Sequence, residues 1–229
     1  MRPERRREAR GDVPGRPGAG PLLAAGCAAA LAMTGCGDEL VDPGEGGGTQ
    51  PPPSASTDEL TFLRQSPDAP ALFRFDGDTS FVATAGQDLE VEIRYVDPAD
   101  TSQAGEEFLE FELEDTSLAR YPDGTPFQVG DTVTITIRVT GDTILADFEP
   151  SGLEFDPDEP AELEMRFGNA DRDTDDDGDD DLDEREGEVR LWKQEQPGDD
   201  WLQFSEQPDV DLDRIRADVT SFTRFAMAI

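Results

Sequence analysis

Between residues 173 and 184 the chain reads Asp173-Thr174-Asp175-Asp176-Asp177-Gly178-Asp179-Asp180-Asp181-Leu182-Asp183-Glu184, with acids at the first, third, fifth, seventh, ninth and twelfth places and glycine at the sixth. This spacing has a mechanism. Carboxylates at alternating places converge on one hard cation, the glycine permits a sharp turn, the carbonyl of Asp179 adds a further oxygen, and Glu184 closes the shell bidentately. The expectation is a Ca2+ site made by Asp173, Asp175, Asp177, Asp179, Asp181 and Glu184. Twelve acids face only Arg172 and Arg185 between Asp171 and Glu188, so repulsion opposes the bare loop and a bound cation adds to stability. An exposed site of this kind suits an affinity of about 0.1 to 1 mM, as in extracellular modules. The competing reading is a solvated acidic loop with no ligand; the spacing favours calcium.

The segment resembles the calcium loops of EF-hands and of thrombospondin-type or dockerin repeats. It departs from the EF-hand at Asp180, where an apolar residue is usual, and its flanks read as strands and turns instead of paired helices. The resemblance therefore implies ion binding without a helix-opening switch.

Other chemistry is narrowed by what the chain lacks. It has no histidine, which removes the Ser-His-Asp triad, the Cys-His dyad and histidine zinc sites together. It also has no P-loop, no G-x-G-x-x-G following a strand and no G-x-S-x-G. The expectation is a protein that is not an enzyme, with a carboxylate-pair hydrolase as the further alternative. Trp192 and Trp201 flank Gln196-Pro197-Gly198-Asp199 and so meet across a hairpin. Cross-strand packing is the plain reading of that pair, and a sugar-stacking platform the functional one.

The N-terminus carries an address. Arg2, Arg5, Arg6, Arg7, Arg10 and Arg16 form a basic region, followed by an apolar run from Pro21 to Met33, the pattern of a signal peptide too short to span a membrane as a helix. Met33-Thr34-Gly35-Cys36 then resembles the cleavage box of bacterial lipoproteins, in which the cysteine is acylated and becomes the mature N-terminus. Cys36 is the expected lipidation site; Leu23-Ala24-Ala25-Gly26-Cys27 is a rival box preceded by a shorter apolar run. An ordinary secreted chain cut elsewhere is the alternative. Gly37 follows the cysteine and Asp38 comes one place late for an inner-membrane retention signal, which favours the outer membrane. Residues 1–35 are thus a signal peptide. Residues 36–58 are an anchored, disordered linker, rich in glycine at Gly44–Gly48 and stiffened by Pro51-Pro52-Pro53.

The whole chain has a formal net charge of -35, and loss of a leader with six arginines against Glu4, Glu8 and Asp12 leaves about -38. Such a surface excludes nucleic acid as a partner. The expected partners are a membrane, through the lipid, and a protein or glycan of the cell envelope.

From residue 59 to 229 the pattern has period two, without a long helical stretch. Leu89–Tyr95 places Val91, Ile93 and Tyr95 on one face, and Thr132–Val139 places Val133, Ile135, Ile137 and Val139 opposite three threonines and Arg138. Weaker strand candidates are 60–63, 71–75, 108–113, 144–148, 161–167, 189–193, 215–219 and 222–229. Turn signals at Asp76-Gly77, Asp123-Gly124, Thr140-Gly141-Asp142 and Pro197-Gly198-Asp199 separate them. The expected fold is all-β, an antiparallel β-sandwich over 59–229, either one unit or sub-regions 59–129 and 130–229, with an Asp-rich loop at 169–188.

Pro150-Ser151-Gly152-Leu153-Glu154-Phe155, then Pro160 and Ala161-Glu162-Leu163, Leu191-Trp192, Trp201 and Val219–Ala228 together resemble the zona-occludens and netrin-receptor (ZU-five) type of β-sandwich. The resemblance covers roughly residues 130 to 229. It implies a closing Phe-rich strand and a hairpin carrying aromatic residues. Some relatives of that type cut themselves within a His-Phe-Ser element. The matching positions are Ser221, Phe222 and Thr223, and without a histidine to activate Thr223 the expected role of Phe222 and Phe225 is core packing. The leading functional expectation is a non-catalytic, surface-displayed lipoprotein with a Ca2+-stabilised sandwich that mediates contact or supports the envelope. A tethered carbohydrate-binding module using Trp192 and Trp201 is the alternative.

Overall fold

Alternation along Thr132–Val139 sends Ile135 and Ile137 fully into the core and leaves Thr132, Thr134 and Arg138 exposed. The same rule builds most of the molecule. The computed structural model describes residues 52–72, 78–139, 142–175, 177–205 and 207–229, all inside one unit, Thr49–Ile229. Residues 1–51, which include the expected leader, Cys27, Cys36 and most of the expected 36–58 linker, lie outside the described residues, as do 73–77, Thr140-Gly141, Asp176 and Glu206.

In chain order the strands are β1 (Ser54–Ala55), β2 (Asp78–Thr84), β3 (Leu89–Val96), β4 (Ala104–Leu113), β5 (Leu118–Arg120), β6 (Thr132–Val139) and β7 (Leu145–Glu149), then β8 (Glu154–Phe155), β9 (Ala161–Arg166), β10 (Arg190–Gln194), β11 (Trp201–Gln203), β12 (Arg214–Val219) and β13 (Arg224–Ala228). One sheet runs β1-β11-β10-β13-β7-β6-β2, a second runs β12-β9-β4-β3, and β5 pairs with β8 in a short ribbon. Every pairing is antiparallel, so the fold is all-β. Residues before and after position 130 share both large sheets, since β2 pairs with β6 and β4 with β9.

Phe111 of β4 joins the sheets. Its ring lies 5.6 Å from Phe148 of β7 and 6.3 Å from Phe81 of β2, and it also meets Phe222 at 5.3 Å and Phe155 at 6.2 Å. Tilted and edge-on contacts of this kind add to the burial of large apolar surfaces. Leu153, Leu163, Met165, Leu191, Phe225 and Met227 fill the same core, all fully buried.

The outer face of the seven-stranded sheet is covered at one end by the chain's own N-terminal segment. Phe62 bridges to Ala228, Thr61 and Ile229 exchange backbone hydrogen bonds at 3.1 and 3.0 Å, and Leu63 donates to Met227 at 2.9 Å. This strap spans part of the 60–63 strand candidate, and it pairs through bridges without forming a regular strand. Ser56 N and Oγ both donate to the Glu59 carboxylate at 2.8 Å, which holds a single turn, 57–59, in place and pulls the Glu59 pKa down. That turn sets Thr57 Oγ1 to accept from Trp201 Nε1 at 3.2 Å.

Trp192 and Trp201 do lie on one hairpin, Trp192 opposite Gln203 and Lys193 opposite Leu202, but they are not a platform. Only 8% of Trp192 and 3% of Trp201 are exposed. With Ala226 and Ala228 they form a cluster packed against Ala55, Leu60, Phe62 and Leu145, and Phe62 meets Trp201 edge-on at 5.2 Å. The strap fills the surface on which a sugar ring would stack, which corrects the glycan reading of this pair. Replacing Thr57 by Val is expected to cost about 1 kcal/mol, because it leaves the Trp201 indole N–H buried without an acceptor. Equilibrium unfolding checks this, and limited proteolysis should show the strap cut faster; unchanged stability and cutting would refute the clamp.

Candidate metal centre

The Asp-rich loop leaves the sandwich after β9 and returns before β10, and both ends are fastened. At the entry, Ser66 donates to the Asn169 carbonyl at 2.9 Å, Asp171 donates to the Arg64 carbonyl at 2.7 Å, and Ala170 is buried. At the exit, Leu182 is fully buried in the core and opens the four-residue helix α1 (Leu182–Arg185). The amides of Asp181 and Leu182 both donate to the Arg172 carbonyl at 3.0 Å. The Arg172 guanidinium pairs with Asp183 at 2.8 Å and Glu186 at 2.6 Å. One residue therefore clips entry to exit through both backbone and side chain. Leu182 is the only large apolar residue between Asp171 and Glu188, which is the sequence signal for this anchor.

Within the clip, Asp173, Asp175, Asp177 and Asp181 each bring a carboxylate oxygen to within 4.8 Å of the others. Asp173 lies at the centre of the turn, accepting from the amides of Asp177 at 3.1 Å and Gly178 at 2.9 Å. Asp175 accepts from Asp177 N at 3.2 Å, and Asp177 accepts from Asp179 N at 3.0 Å. Gly178 has φ 96°; a Cβ there would meet nothing within 4 Å, so glycine is required for its left-handed backbone and not for space. Of the six expected ligands, the carboxylates of Asp179 and Glu184 are not in the group of four. Asp179 was expected to act through its carbonyl, while Glu184 sits on α1, the step at which this loop differs most from the ligand pattern expected for its spacing.

A second set of carboxylates, Glu107, Glu110 and Glu164, also converges within 4.8 Å, and it differs in its partners. Glu164 is 1% exposed and pairs with Arg216 at 2.8 Å, Arg214 at 3.0 Å and Arg166 at 3.0 Å. Guanidinium groups already balance this set. Asp173, Asp175, Asp177 and Asp181 have no ion pair among the described residues. Desolvation first, then the neighbouring charges of Asp177 and Asp181, raise the Asp175 carboxyl above its ordinary pKa. Four hard oxygen donors lacking a basic partner fit a hard divalent cation.

Comparison with models of protein families, with curated proteins and with solved structures gives no match for this chain.

Ser221, Phe222 and Thr223 are committed to structure. Phe222 is buried against Phe148 at 5.0 Å and Phe155 at 4.8 Å. The Thr223 hydroxyl is buried and donates to the carbonyls of Gln194 and Glu195. Lys193, the chain's one lysine, donates through Nζ to Ser221 Oγ at 2.9 Å and pairs with Glu195 at 2.7 Å. Among the described residues no helix is long and apolar enough to cross a membrane.

Proposed function

We propose that this chain is a non-catalytic lipoprotein of the cell envelope. In this reading Cys36 carries the lipid, the linker lifts the sandwich off the bilayer, and a Ca2+ ion held at 173–184 stiffens a module that binds another envelope component or supports the envelope itself. The observation that carries the metal part is the convergence of four carboxylates from Asp173, Asp175, Asp177 and Asp181 without a basic partner among the described residues. The clip made by Arg172 and Leu182 supports it, because a loop fixed at both ends loses less entropy on closing round an ion. When bound, calcium would supply a divalent charge to this cluster; the side chains supply the hard oxygens and the turn that gathers them.

The anchor is tested separately. Cys36→Ser is expected to move essentially all of the protein from the membrane fraction to the soluble fraction, and to abolish incorporation of labelled fatty acid. A variant that still sediments with membranes refutes the lipid assignment. Direct titration of calcium into the full chain tests the metal. One site at about 0.1 to 1 mM, lost in Asp173→Ala, supports the reading; heat of binding that is unchanged in that variant refutes it.

A further inference from the structure

Strand β12 forms one edge of the four-stranded sheet, with β9 on one side only. Two neighbouring contacts show which of its backbone groups face β9. Phe167 N–H donates to the Asp213 carbonyl at 2.8 Å, so by alternation Ile215, Ala217 and Val219 also turn their backbone groups toward β9. On the opposite side Arg214 and Asp209 exchange hydrogen bonds of 2.9 and 3.2 Å, and the Thr220 carbonyl accepts from Phe155 N–H at 2.9 Å. The open edge is thus taken at both ends. Between them the N–H and C=O groups of Arg216 and Asp218 point outward, and no described residue pairs with them.

An open edge is ordinary in a sandwich, but this one borders a cleft. Beyond the bridge between Asp209 and Arg214 the two arms of the chain part, leaving a cavity of about 590 Å3 lined by Phe204, Gln207 and Asp209 of one arm and Arg216, Ala217 and Asp218 of the other. The arm at Phe204 belongs to the other sheet, since its N–H donates to the Leu191 carbonyl of β10 at 2.8 Å. The cleft therefore lies between the margins of the two sheets.

Side chains decide what suits it. Ala217 is the smallest of the inward residues of β12 and, at 8%, the most exposed of them. Arg216 and Asp218 are exposed on the outer face. Arg216 is engaged, with Glu162 at 2.9 Å and Glu164 at 2.8 Å. Asp218 has no ion pair among the described residues. It ends a row of acids, one from each strand, in which Glu90 faces Glu112, Glu112 faces Glu162 and Glu162 faces Asp218. Like charges set directly opposite repel. Burial first, then the charges of Glu112 and Asp218, hold the Glu162 carboxyl above its ordinary pKa against the pull of Arg216.

A strand laid along this edge would continue the row. Its residue opposite Asp218 would stand on the outer face, where a lysine or arginine is favoured, and the next would turn inward on the side of Ala217 and Phe204, where an apolar residue fits. A second copy pairing β12 with β12 would bring together two chains of net charge -35, whereas a basic segment is drawn to the same edge.

We propose that the cleft beside β12 binds an extended, basic segment of a partner protein. The segment adds a strand to the four-stranded sheet by hydrogen bonding to the backbone of Arg216 and Asp218, with a lysine or arginine beside Asp218 and an apolar residue beside Ala217. This deepens the contact role proposed above and depends on neither the lipid nor the calcium.

The test titrates the isotope-labelled full chain, in chelator, with three peptides: acetyl-Lys-Val-Thr-Val-Lys-amide, its acidic counterpart acetyl-Glu-Val-Thr-Val-Glu-amide, and the basic peptide N-methylated at lysine and threonine. Amide NMR shifts read both site and affinity. The basic peptide is expected to bind and to move the amides of Arg216 and Asp218 most, the acidic peptide to fail, and N-methylation to weaken binding about tenfold or more. Asp218→Asn is expected to weaken the basic peptide about two- to fivefold, and Asp218→Arg to reverse the preference between the two charged peptides. Both variants should unfold at or above the parent temperature, because each removes a charge that repels Glu162. No binding of the basic peptide, shifts centred away from β12, full binding of the N-methylated peptide, or an unchanged preference in Asp218→Arg would each overturn the proposal. So would self-association through β12 that the basic peptide fails to displace.

Discussion

Adding calcium to the chelator-treated full chain is expected to raise its unfolding temperature by about 3 to 10 °C at about 10 mM ion, and Asp175→Ala is expected to abolish the rise. The magnitude follows from linkage. An ion at roughly 10 to 100 times its dissociation constant stabilises the folded state by about 1.4 to 2.7 kcal/mol, and each kcal/mol moves the midpoint of a domain this size by about 2 to 4 °C. Asp175 is the informative position because it sits among Asp173, Asp177 and Asp181 and its carboxyl is raised by desolvation and by those neighbours. A raised acid binds its proton more readily in the folded chain than in the unfolded one. Without metal, its contribution to stability therefore falls as pH rises through the carboxylate range. Calcium reverses that sign by replacing the proton with a stronger cation. In the absence of calcium, Asp175→Ala should thus melt at or slightly above the parent temperature, having lost a repelling charge. An identical calcium response in parent and variant would leave the loop a solvated acidic turn.

Phe111→Ala is expected to destabilise the fold by about 3 to 5 kcal/mol, the largest loss anticipated for any single side chain discussed. The ring is fully buried and touches Phe81, Phe148, Phe155 and Phe222. Its removal takes away the transferred apolar area and leaves a cavity between two sheets that cannot both move in to fill it. Phe111→Leu should recover more than half of the loss. In a double-mutant cycle, Phe111→Ala with Phe222→Ala should cost less than the sum of the single changes, because the two rings 5.3 Å apart share one interaction. Denaturant unfolding measures all of these. A loss below about 1 kcal/mol for Phe111→Ala would mean that the two sheets are not joined as described.

Strands with strict alternation and large β-branched residues were readable locally, and β3 and β6 appear where Leu89–Tyr95 and Thr132–Val139 point. β2 was not readable. Its inward positions are Thr79, Phe81 and Ala83, while Val82 faces outward and is 58% exposed, so the hydrophobic signal is split between the faces. The two-residue edge strand β1 exists only through its pairing with β11, Ser54 with Leu202, and no local pattern reports such a partner. The Trp hairpin was legible through its Pro-Gly turn, yet the burial of its indoles was not, because Thr57 and Trp201 are 144 residues apart. In the loop, the spacing of acids pointed to the four carboxylates that converge. The clip by Arg172 was hidden, because an arginine beside an acidic run looks like ordinary charge balance until its carbonyl is seen to accept from Asp181 and Leu182.

Both tryptophans of this chain lie under the strap. The molecule thus carries its own optical gauge. If the segment around Phe62 lifts from the sheet, both indoles pass together from an apolar environment to water, and their emission shifts to the red before the rest of the sandwich melts. A pull on the chain before Ser54 meets the β1–β11 pairing and the Thr57–Trp201 hydrogen bond on its way to Phe62, so the same two rings would register, without an added dye, whether the sandwich is at rest or under tension.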